Sequence, residues 1–218
     1  MTYEQICHDE EIRTYIKKSD AALAALGYTE HSFAHVCRVA EEAGRILSLL
    51  GCSEREIELV KIAGYMHDIG NIVNRHDHCQ SGAIMAFTLL RERGFDPVDV
   101  SDIMTAIGNH DEAAGTPVSA IAASLILADK SDVRRSRVRN NDRATFDIHD
   151  RVNYSVEKST LSINQEKTLL TLSLTIDTSI GSVSDYFEIF LERMLLCRRA
   201  AECLGLLFGL VVNDQVLM

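Results

Sequence analysis

Two apolar segments of this sequence end in charged residues, and this combination restricts the folds open to the chain. Residues 62–66 lead directly into His67 and Asp68, and residues 121–128 lead into Asp129. A helix that is apolar on all sides is buried. A carboxylate at the inner end of such a helix costs free energy unless it is paired or bound to a cation. The chain must therefore bring compensating groups to these positions inside a helical core.

The first two thirds of the chain have the pattern of a helical domain. Apolar residues recur every three or four positions, which is the spacing of an amphipathic α-helix. Gly51 suits the end of one helix, and Ser53 with Glu56 forms a capping box at the start of the next. The predicted helices span residues 32–50, 53–66, 78–93, 97–110 and 119–132.

The last third of the chain has a different pattern. Residues 168–176 alternate between apolar and hydroxyl-bearing side chains, which is typical of a half-buried strand. The predicted elements are strands over residues 159–163, 168–176 and 206–212 and a helix over residues 185–204. We therefore predict a mainly α fold, in which residues 1–145 form a helical domain and residues 146–218 form a small α+β (β-β-α-β) appendage.

Composition and charge exclude several functions. The net charge of −10 argues against general nucleic-acid binding, which needs a basic surface to contact phosphates. No apolar run approaches the roughly 20 residues that cross a bilayer, and the acidic start lacks the positive flank of a secretory signal, so a cytoplasmic location without membrane contact is expected. The six cysteines include no CxxC pair, which favours reduced thiols. The alternating strands are a candidate surface for packing or for a homodimer.

Histidine–aspartate pairs occur five times in the sequence, so the dipeptide alone does not locate a site. Their surroundings single out His67-Asp68 at the end of an apolar helix, His35 inside a long helix, and His110 at a helix end. Neutral imidazoles bind iron, manganese, zinc and nickel, and a carboxylate can bridge two ions. Helices that direct such ligands into a bundle interior are a common scaffold for these metals. The alternative interpretation is that each histidine is separately hydrogen-bonded within the core.

These residues stand in an order that has a known counterpart. The order is His35, His67-Asp68, His78, His110 and Asp129. It resembles the H…HD…H…H…D pattern of the HD superfamily of metal-dependent phosphohydrolases, and segments 67–70 and 109–112 match the family as well. The resemblance covers roughly residues 30–140 and implies an HD-domain helical bundle.

The resemblance also implies two divalent transition metal ions (iron, manganese, zinc or nickel) and assigns their ligands. The ligands of one ion would be His35, His67, Asp68 and Asp129. The ligands of the other would be His78 and His110, with Asp68 as the bridge. His76 is an alternative to His78, but only His78 is followed by the Gly82-Ala83 of the family pattern, which favours His78.

By the same resemblance, the chain is expected to hydrolyse a phosphate ester of a small phosphorylated metabolite, with nucleotides among the candidates. Two metal ions would lower the pKa of a shared water, and the resulting hydroxide would attack phosphorus. Asp68 would be catalytic as the bridging ligand. The HD-GYP branch, which cleaves cyclic dinucleotides, has lysine at the position of Asn71 and a Gly-Tyr-Pro signature after His110. Both are missing here, so cleavage of cyclic dinucleotides is not expected.

A basic segment follows Asp129 in an otherwise acidic chain. Its members are Lys130, Arg134, Arg135, Arg137, Arg139 and Arg143. Arginine side chains suit phosphate, and cations near the phosphoryl oxygens stabilise the transition state. Lys130 and Arg134, together with Arg38 one turn after His35, are predicted to bind the substrate phosphate, and Lys130 and Arg38 are also candidate catalytic residues. The alternative is a solvated face that pairs with acidic residues.

Two other functions fit parts of the sequence. Mixed-valent di-iron oxygenases of the inositol oxygenase type resemble the HD fold with the same six ligands, and the ligand set alone does not separate them from hydrolases. A non-catalytic regulatory module with a metal site is the third interpretation, although structural sites need fewer ligands and are usually closed. The polar stretch 147–153 is expected to serve capping and ion pairing, with a second site as the alternative.

Overall fold

Nine α-helices and one four-stranded sheet form the fold in the computed structural model, which describes residues Met1–Met218. The helices are α1 (Tyr3–Cys7), α2 (Glu10–Ala25), α3 (Phe33–Leu50), α4 (Glu54–Met66), α5 (His78–Glu92), α6 (Pro97–Gly108), α7 (Ala120–Ser131), α8 (Ile148–Ser155) and α9 (Val183–Cys203). The strands are β1 (Val156–Ile163), β2 (Leu169–Ile176), β3 (Leu207–Val212) and β4 (Gln215–Val216). The predicted fold class, mainly α with a small C-terminal sheet, is confirmed.

The capping signals of α3 and α4 act as the sequence predicts. Gly51 ends α3 with a φ of 82°, a left-handed conformation that glycine adopts without strain. Ser53 and Glu56 form the capping box of α4. Another glycine sets the spacing of the two helices, because a Cβ atom on Gly64 would lie 2.7 Å from the Cα atom of Ala40. Only glycine therefore permits this close approach.

Helix α7 lies at the centre of the molecule. Residues Ile121 to Lys130 of this helix are all buried, and the helix packs against α3, α4, α6 and α9. Burial on every side explains why this segment is almost entirely apolar. None of the helices of the chain is both long and apolar enough to span a membrane.

The N-terminal helices α1 and α2 are not apparent from the sequence pattern. The buried apolar residues of α2 are Ile12, Ile16 and Leu23. Because charged and small residues separate them, they give only a weak periodic signal. Helix α2 packs on the short 3-10 turn Ile69–Ile72, where the Ser19 hydroxyl donates a 2.8 Å hydrogen bond to the Ile69 carbonyl. This helix therefore covers the segment that directly follows Asp68.

The C-terminal sheet is built around α9. Strand β1 pairs antiparallel with β2, β2 pairs parallel with β3, and β3 pairs antiparallel with β4. Helix α9 forms the crossover between β2 and β3, because two parallel strands cannot be joined by a tight turn. The alternation predicted for β2 places Leu170, Leu172 and Leu174 in the core.

A second hydrophobic core joins the sheet to the helical part. It combines apolar residues of β2, β3 and α9 with Ile46 from α3 and with Ala123, Ile126 and Leu127 from α7. Helix α7 also contributes Leu125 to the first core, which lies among the other helices. The boundary predicted at residue 145 thus falls between two parts that are joined by α7, since this helix contributes residues to both cores.

Replacing Leu127 by alanine is expected to destabilise the protein by about 2–5 kcal/mol, because the truncated side chain leaves a cavity in the second core. Leu127 is fully buried. Urea unfolding followed by circular dichroism measures the effect. Leu207→Ala is the matched control, since Leu207 is 69% exposed and its truncation is expected to change stability by less than about 0.5 kcal/mol. Equal effects of the two substitutions would contradict the joining role of this core.

Candidate metal centre

The ends of five helices meet at one point in the helical part. The six predicted ligands lie in the first turn of α3 (His35), directly after α4 (His67 and Asp68), at the start of α5 (His78), just after α6 (His110) and in the last turn of α7 (Asp129). All six are buried, with exposed fractions of 9% or less. The structure thus brings every predicted ligand to one cluster.

Asp68 stands between two groups of imidazoles. Its Oδ2 atom lies 3.1 Å from Nε2 of His67 and 3.5 Å from Nε2 of His35. Its Oδ1 atom lies 3.5 Å from Nε2 of His78, and that nitrogen is 3.1 Å from Nε2 of His110. The two oxygens of one carboxylate therefore face two sets of nitrogen donors, as a bridging ligand would.

Asp129 completes the group around His35 and His67. Its Oδ1 atom lies 3.4 Å from Nε2 of His35 and 3.7 Å from Nε2 of His67. Its Oδ2 atom instead contacts the Nζ atom of Lys130 at 2.8 Å. The four donors of this group are those that the family resemblance assigns to a single ion.

The second nitrogen of each imidazole is held by an oxygen outside the cluster. Nδ1 lies 2.8 Å from the Gly64 carbonyl in His67, 2.7 Å from the Ile107 carbonyl in His110 and 3.1 Å from the Arg75 carbonyl in His78. In His35 the partner is Oδ2 of Asp132 at 2.8 Å. These contacts of Nδ1 turn Nε2 of each ring into the cluster, where it can bind a metal ion once it carries no proton.

These inward-facing atoms fit a metal ion. Nε2 of His35, Nε2 of His67 and Oδ2 of Asp68 are buried and have no hydrogen-bond partner, which is costly for polar groups of a folded protein. Imidazole nitrogen and carboxylate oxygen together form a donor set that suits divalent transition metals. The cluster could therefore hold metal, and a bound cation would satisfy all three atoms.

The charges of the cluster are already arranged for a cation. Burial by itself raises the pKa of Asp129, but Lys130 and the imidazoles of His35 and His67 hold that pKa well below its usual range. The pKa of Asp68 is also lowered despite burial, chiefly by His67. Burial lowers the pKa of His67, yet Asp68 and Asp129 outweigh this effect and raise the pKa to about 10. A bound metal would replace the positive charge that the His67 proton supplies.

The structure brings His78 rather than His76 to the cluster. The side chain of His76 is 87% exposed and pairs with its neighbour Asp77 at 2.7 Å. His78 is 2% exposed and faces both Asp68 and His110. Helix α5 begins at His78. His76 therefore stays in the preceding loop, and only His78 faces the cluster.

A cavity of about 440 Å³ opens onto the cluster. Asp68, His78, His110 and Asp129 lie at its base. The helical part supplies further walls through residues 26–29, His31, Arg75, Glu112, Lys130 and Arg137. The C-terminal part supplies Asp147, His149, Asp150, Asn153, Ile189, Phe190 and Arg193. Both parts of the chain therefore enclose the site, and the polar stretch 147–153 forms one of its walls.

Lys130 lines this cavity, as a phosphate-binding residue should, but its charge is already compensated. Its Nζ atom lies 2.5 Å from Oε2 of Glu112 and 2.8 Å from Oδ2 of Asp129. Burial lowers the pKa of Lys130, but these two carboxylates outweigh it and raise that pKa above its usual value. Arg193 from α9 approaches Glu112 from the other side at 3.3 Å. Lys130 thus stays protonated within a buried network.

The structure does not bring Arg38 and Arg134 to the cavity. Both line a second cavity of about 420 Å³ behind Asp132. Arg134 lies in an extended segment after α7 and pairs with Asp132 and Glu30, each at 2.9 Å. Arg38 lies 3.5 Å from Asp132, and its side chain is 61% exposed. Sequence proximity to a ligand therefore did not place either arginine beside the metal cluster.

Three residues of the site were not predicted from the sequence. Asp132, which orients His35, lies one turn after Asp129, and this spacing is the signal that would have indicated it. Arg75 lies in the loop before α5, and Arg193 lies on α9, in a part of the chain far from the HD pattern. Nothing in the local sequence points to these two arginines, because only the packing of α9 and of the loop carries them to the cavity.

The substitution Asp132→Asn is expected to weaken metal binding by about 10- to 100-fold, because it removes the charge that orients His35 while preserving the side-chain volume. Isothermal titration with Mn²⁺ measures the affinity. Asp214→Asn is the matched control, since Asp214 is exposed at the β3–β4 turn, where its positive φ also suits asparagine. Equal affinities of the two variants and the parent protein would contradict a positioning role for Asp132.

Comparison with known proteins identifies the family. The HD domain family model matches residues 32–144. The uncharacterized protein MJ1020 of Methanocaldococcus jannaschii is 26% identical over 193 residues, which cover 77% of this chain and 73% of that protein. The crystal structure of a predicted HD superfamily hydrolase from an uncultured Thermotogales bacterium is 28% identical, with a TM-score of 0.46, and covers 58% of this chain and 69% of that chain. With the family model spanning more than half of its length, the chain belongs to the HD domain family.

Proposed function

We propose that the protein is a metal-dependent phosphohydrolase that cleaves the phosphate ester of a small phosphorylated metabolite. The observation that carries this proposal is Asp68, whose two oxygens face separate groups of histidine nitrogens in the wall of an open cavity. A purely structural metal site is usually closed by protein ligands, whereas a catalytic site keeps a position open to substrate and water. Membership of the HD family supports the same function.

Two divalent ions held in this way would lower the pKa of a coordinated water and offset negative charge on the phosphoryl oxygens. The ligands proposed for one ion are His35, His67, Asp68 and Asp129, and those for the other are His78, His110 and Asp68. Hydrolysis joins the water oxygen to phosphorus and breaks the ester P–O bond, which releases inorganic phosphate and an alcohol. The cavity admits both the ester and the water that this reaction consumes.

Lys130 is the cation of the protein that directly contacts a proposed metal ligand through an ion pair. It contacts Oδ2 of Asp129, the oxygen turned away from the histidines, and is supported by Glu112. We assign it two roles, which are to keep Asp129 ionised and oriented and to add positive charge beside the phosphoryl group. A fixed charge in a buried site stabilises developing negative charge more strongly than the same charge in water.

The test measures metal content and hydrolysis on the same preparation. We expect close to two transition metal ions per chain and Mn²⁺-dependent hydrolysis of bis-p-nitrophenyl phosphate and p-nitrophenyl phosphate. The variants His35→Ala, Asp68→Ala and His78→Ala are expected to lose at least about 10³-fold in kcat/KM, because each removes a ligand of the assembled centre. His76→Ala is the matched control, since His76 lies in the loop just before His78 and its side chain is 87% exposed, and this variant is expected to keep full activity.

The other outcomes separate the alternative functions. If the protein binds two irons per chain, hydrolyses no ester and consumes oxygen, the proposed function is wrong and the protein is an HD-fold oxygenase. If the protein binds no metal after reconstitution and shows no turnover, the proposal of a metal centre is wrong. Full activity of Asp68→Ala would show that hydrolysis takes place elsewhere on the protein.

A further inference from the structure

Four cations line the cavity, and three of them are already compensated by carboxylates. Lys130 contacts Glu112 and Asp129, Arg193 contacts Glu112, and Arg137 lies 3.8 Å from Asp132. Arg75 is different, since no carboxylate lies within ion-pairing distance of its guanidinium. The cavity therefore offers one uncompensated cation of the protein to a ligand.

Arg75 stands directly beside the metal cluster. Its NH1 group lies 3.4 Å from Nε2 of His78 and 3.3 Å from Oδ1 of Asn71. Its guanidinium stacks 5.7 Å from the centroid of the Tyr28 ring. These contacts occupy one nitrogen and one face of a group with five N–H donors. The remaining donors can bind a phosphate oxygen next to the metal ligands, in the forked geometry that arginine provides.

The wall formed by α8 has the opposite character. Asp147 and Asp150 bring two negative charges to the cavity, and Asn153 brings an amide. Asn153 is 6% exposed. Its Nδ2 group donates to the His149 carbonyl at 2.9 Å, whereas its Oδ1 atom accepts no hydrogen bond from the chain. Such a wall attracts hydroxyl groups, which donate hydrogen bonds to carboxylates and amide oxygens, and it repels phosphate groups.

The cavity has little apolar surface for a nucleobase. Only four of its 20 lining residues are hydrophobic, although small-molecule sites are usually lined mainly by apolar groups. The phenyl or phenol rings among them already stack with an arginine, since Arg193 lies 4.0 Å from the Phe190 centroid and Arg75 covers Tyr28. A polar, hydroxylated molecule matches these walls better than a flat aromatic base.

We propose that the substrate is a sugar or polyol monophosphate, whose single phosphate binds Arg75 and whose hydroxyl groups bind Asp147, Asp150 and Asn153. A second phosphate group would meet the carboxylates of α8, so that nucleoside polyphosphates are rejected. The volume of about 440 Å³ is within the range of small-molecule sites. This substrate class rests on the proposed phosphohydrolase function. In this proposal the residues of the C-terminal part determine the substrate specificity of the enzyme.

The first test compares substrates that differ in hydroxyl and phosphate content. The Mn²⁺-loaded full chain is assayed with erythritol 4-phosphate and with butyl phosphate, which has the same carbon chain without the hydroxyls, and with AMP and ATP. We expect kcat/KM for erythritol 4-phosphate or another sugar or polyol monophosphate to exceed that for each of the other three by at least about tenfold, because the carboxylate and amide oxygens of α8 favour a hydroxylated ligand. Higher kcat/KM for AMP, ATP or butyl phosphate would overturn the proposal.

The second test removes the two proposed contacts separately. Arg75→Gln is expected to lower kcat/KM about 100-fold for all phosphate esters and to weaken the binding of inorganic phosphate in isothermal titration. Arg91→Gln is the matched control, because Arg91 is exposed on α5 and stacks only on Phe87. Unchanged phosphate binding by Arg75→Gln would overturn the phosphate position.

The double variant Asp147→Asn/Asp150→Asn tests the wall of α8. Asparagine keeps the helix cap that Asp147 forms but removes both charges, so the preference for a polyol monophosphate over ATP is expected to shrink by at least about tenfold. An unchanged preference would overturn the role of this wall. Turnover of p-nitrophenyl phosphate without any polyol preference would overturn the substrate class alone, whereas no turnover of any ester would overturn the proposed function as well.

Discussion

The buried carboxylate of Asp68 is the group on which the rest of the structure depends. Its two oxygens face His67 and His35 on one side and His78 on the other, so the ends of α3, α4 and α5 must converge on it. Several of the facing atoms have no partner within the chain. An unpaired buried polar atom lowers the stability of the fold. The arrangement of these atoms is therefore explained best by a cation that binds them.

The charged residues around this centre compensate one another in a series of ion pairs. Asp129 forms an ion pair with Lys130, and Lys130 forms a second one with Glu112. Glu112 in turn pairs with Arg193 of α9. This chain of contacts runs from the metal ligands to the C-terminal part, which also packs on α7 through the second core. The C-terminal part is therefore joined to the site both by apolar packing and by ionic contacts, and it supplies walls that the helical part lacks.

Most of the metal centre was predictable because its residues carry strong local signals. A histidine or aspartate at the inner end of an apolar helix is a costly arrangement, and their order along the chain matches a family pattern. The cations that line the cavity were not predictable in this way. Lys130 does line the cavity, but Arg38 and Arg134 line a second cavity, whereas Arg75, which the sequence did not single out, lines the first. Surface arginines carry no periodic or energetic signal that specifies the direction of their side chains.

The sequence by itself determined the helices from α3 to α7, the strand alternation of β2 and the six residues of the cluster. The helices and the strand follow from periodicity and capping, which act over a few neighbouring residues, whereas the full set of six residues follows from the resemblance of their order to the HD family pattern. Only the tertiary structure decided that α2 covers the segment after Asp68, that Asp132 holds His35, and that α8 and α9 enclose the cavity. Those contacts join residues far apart in the chain, so their geometry depends on how whole helices pack.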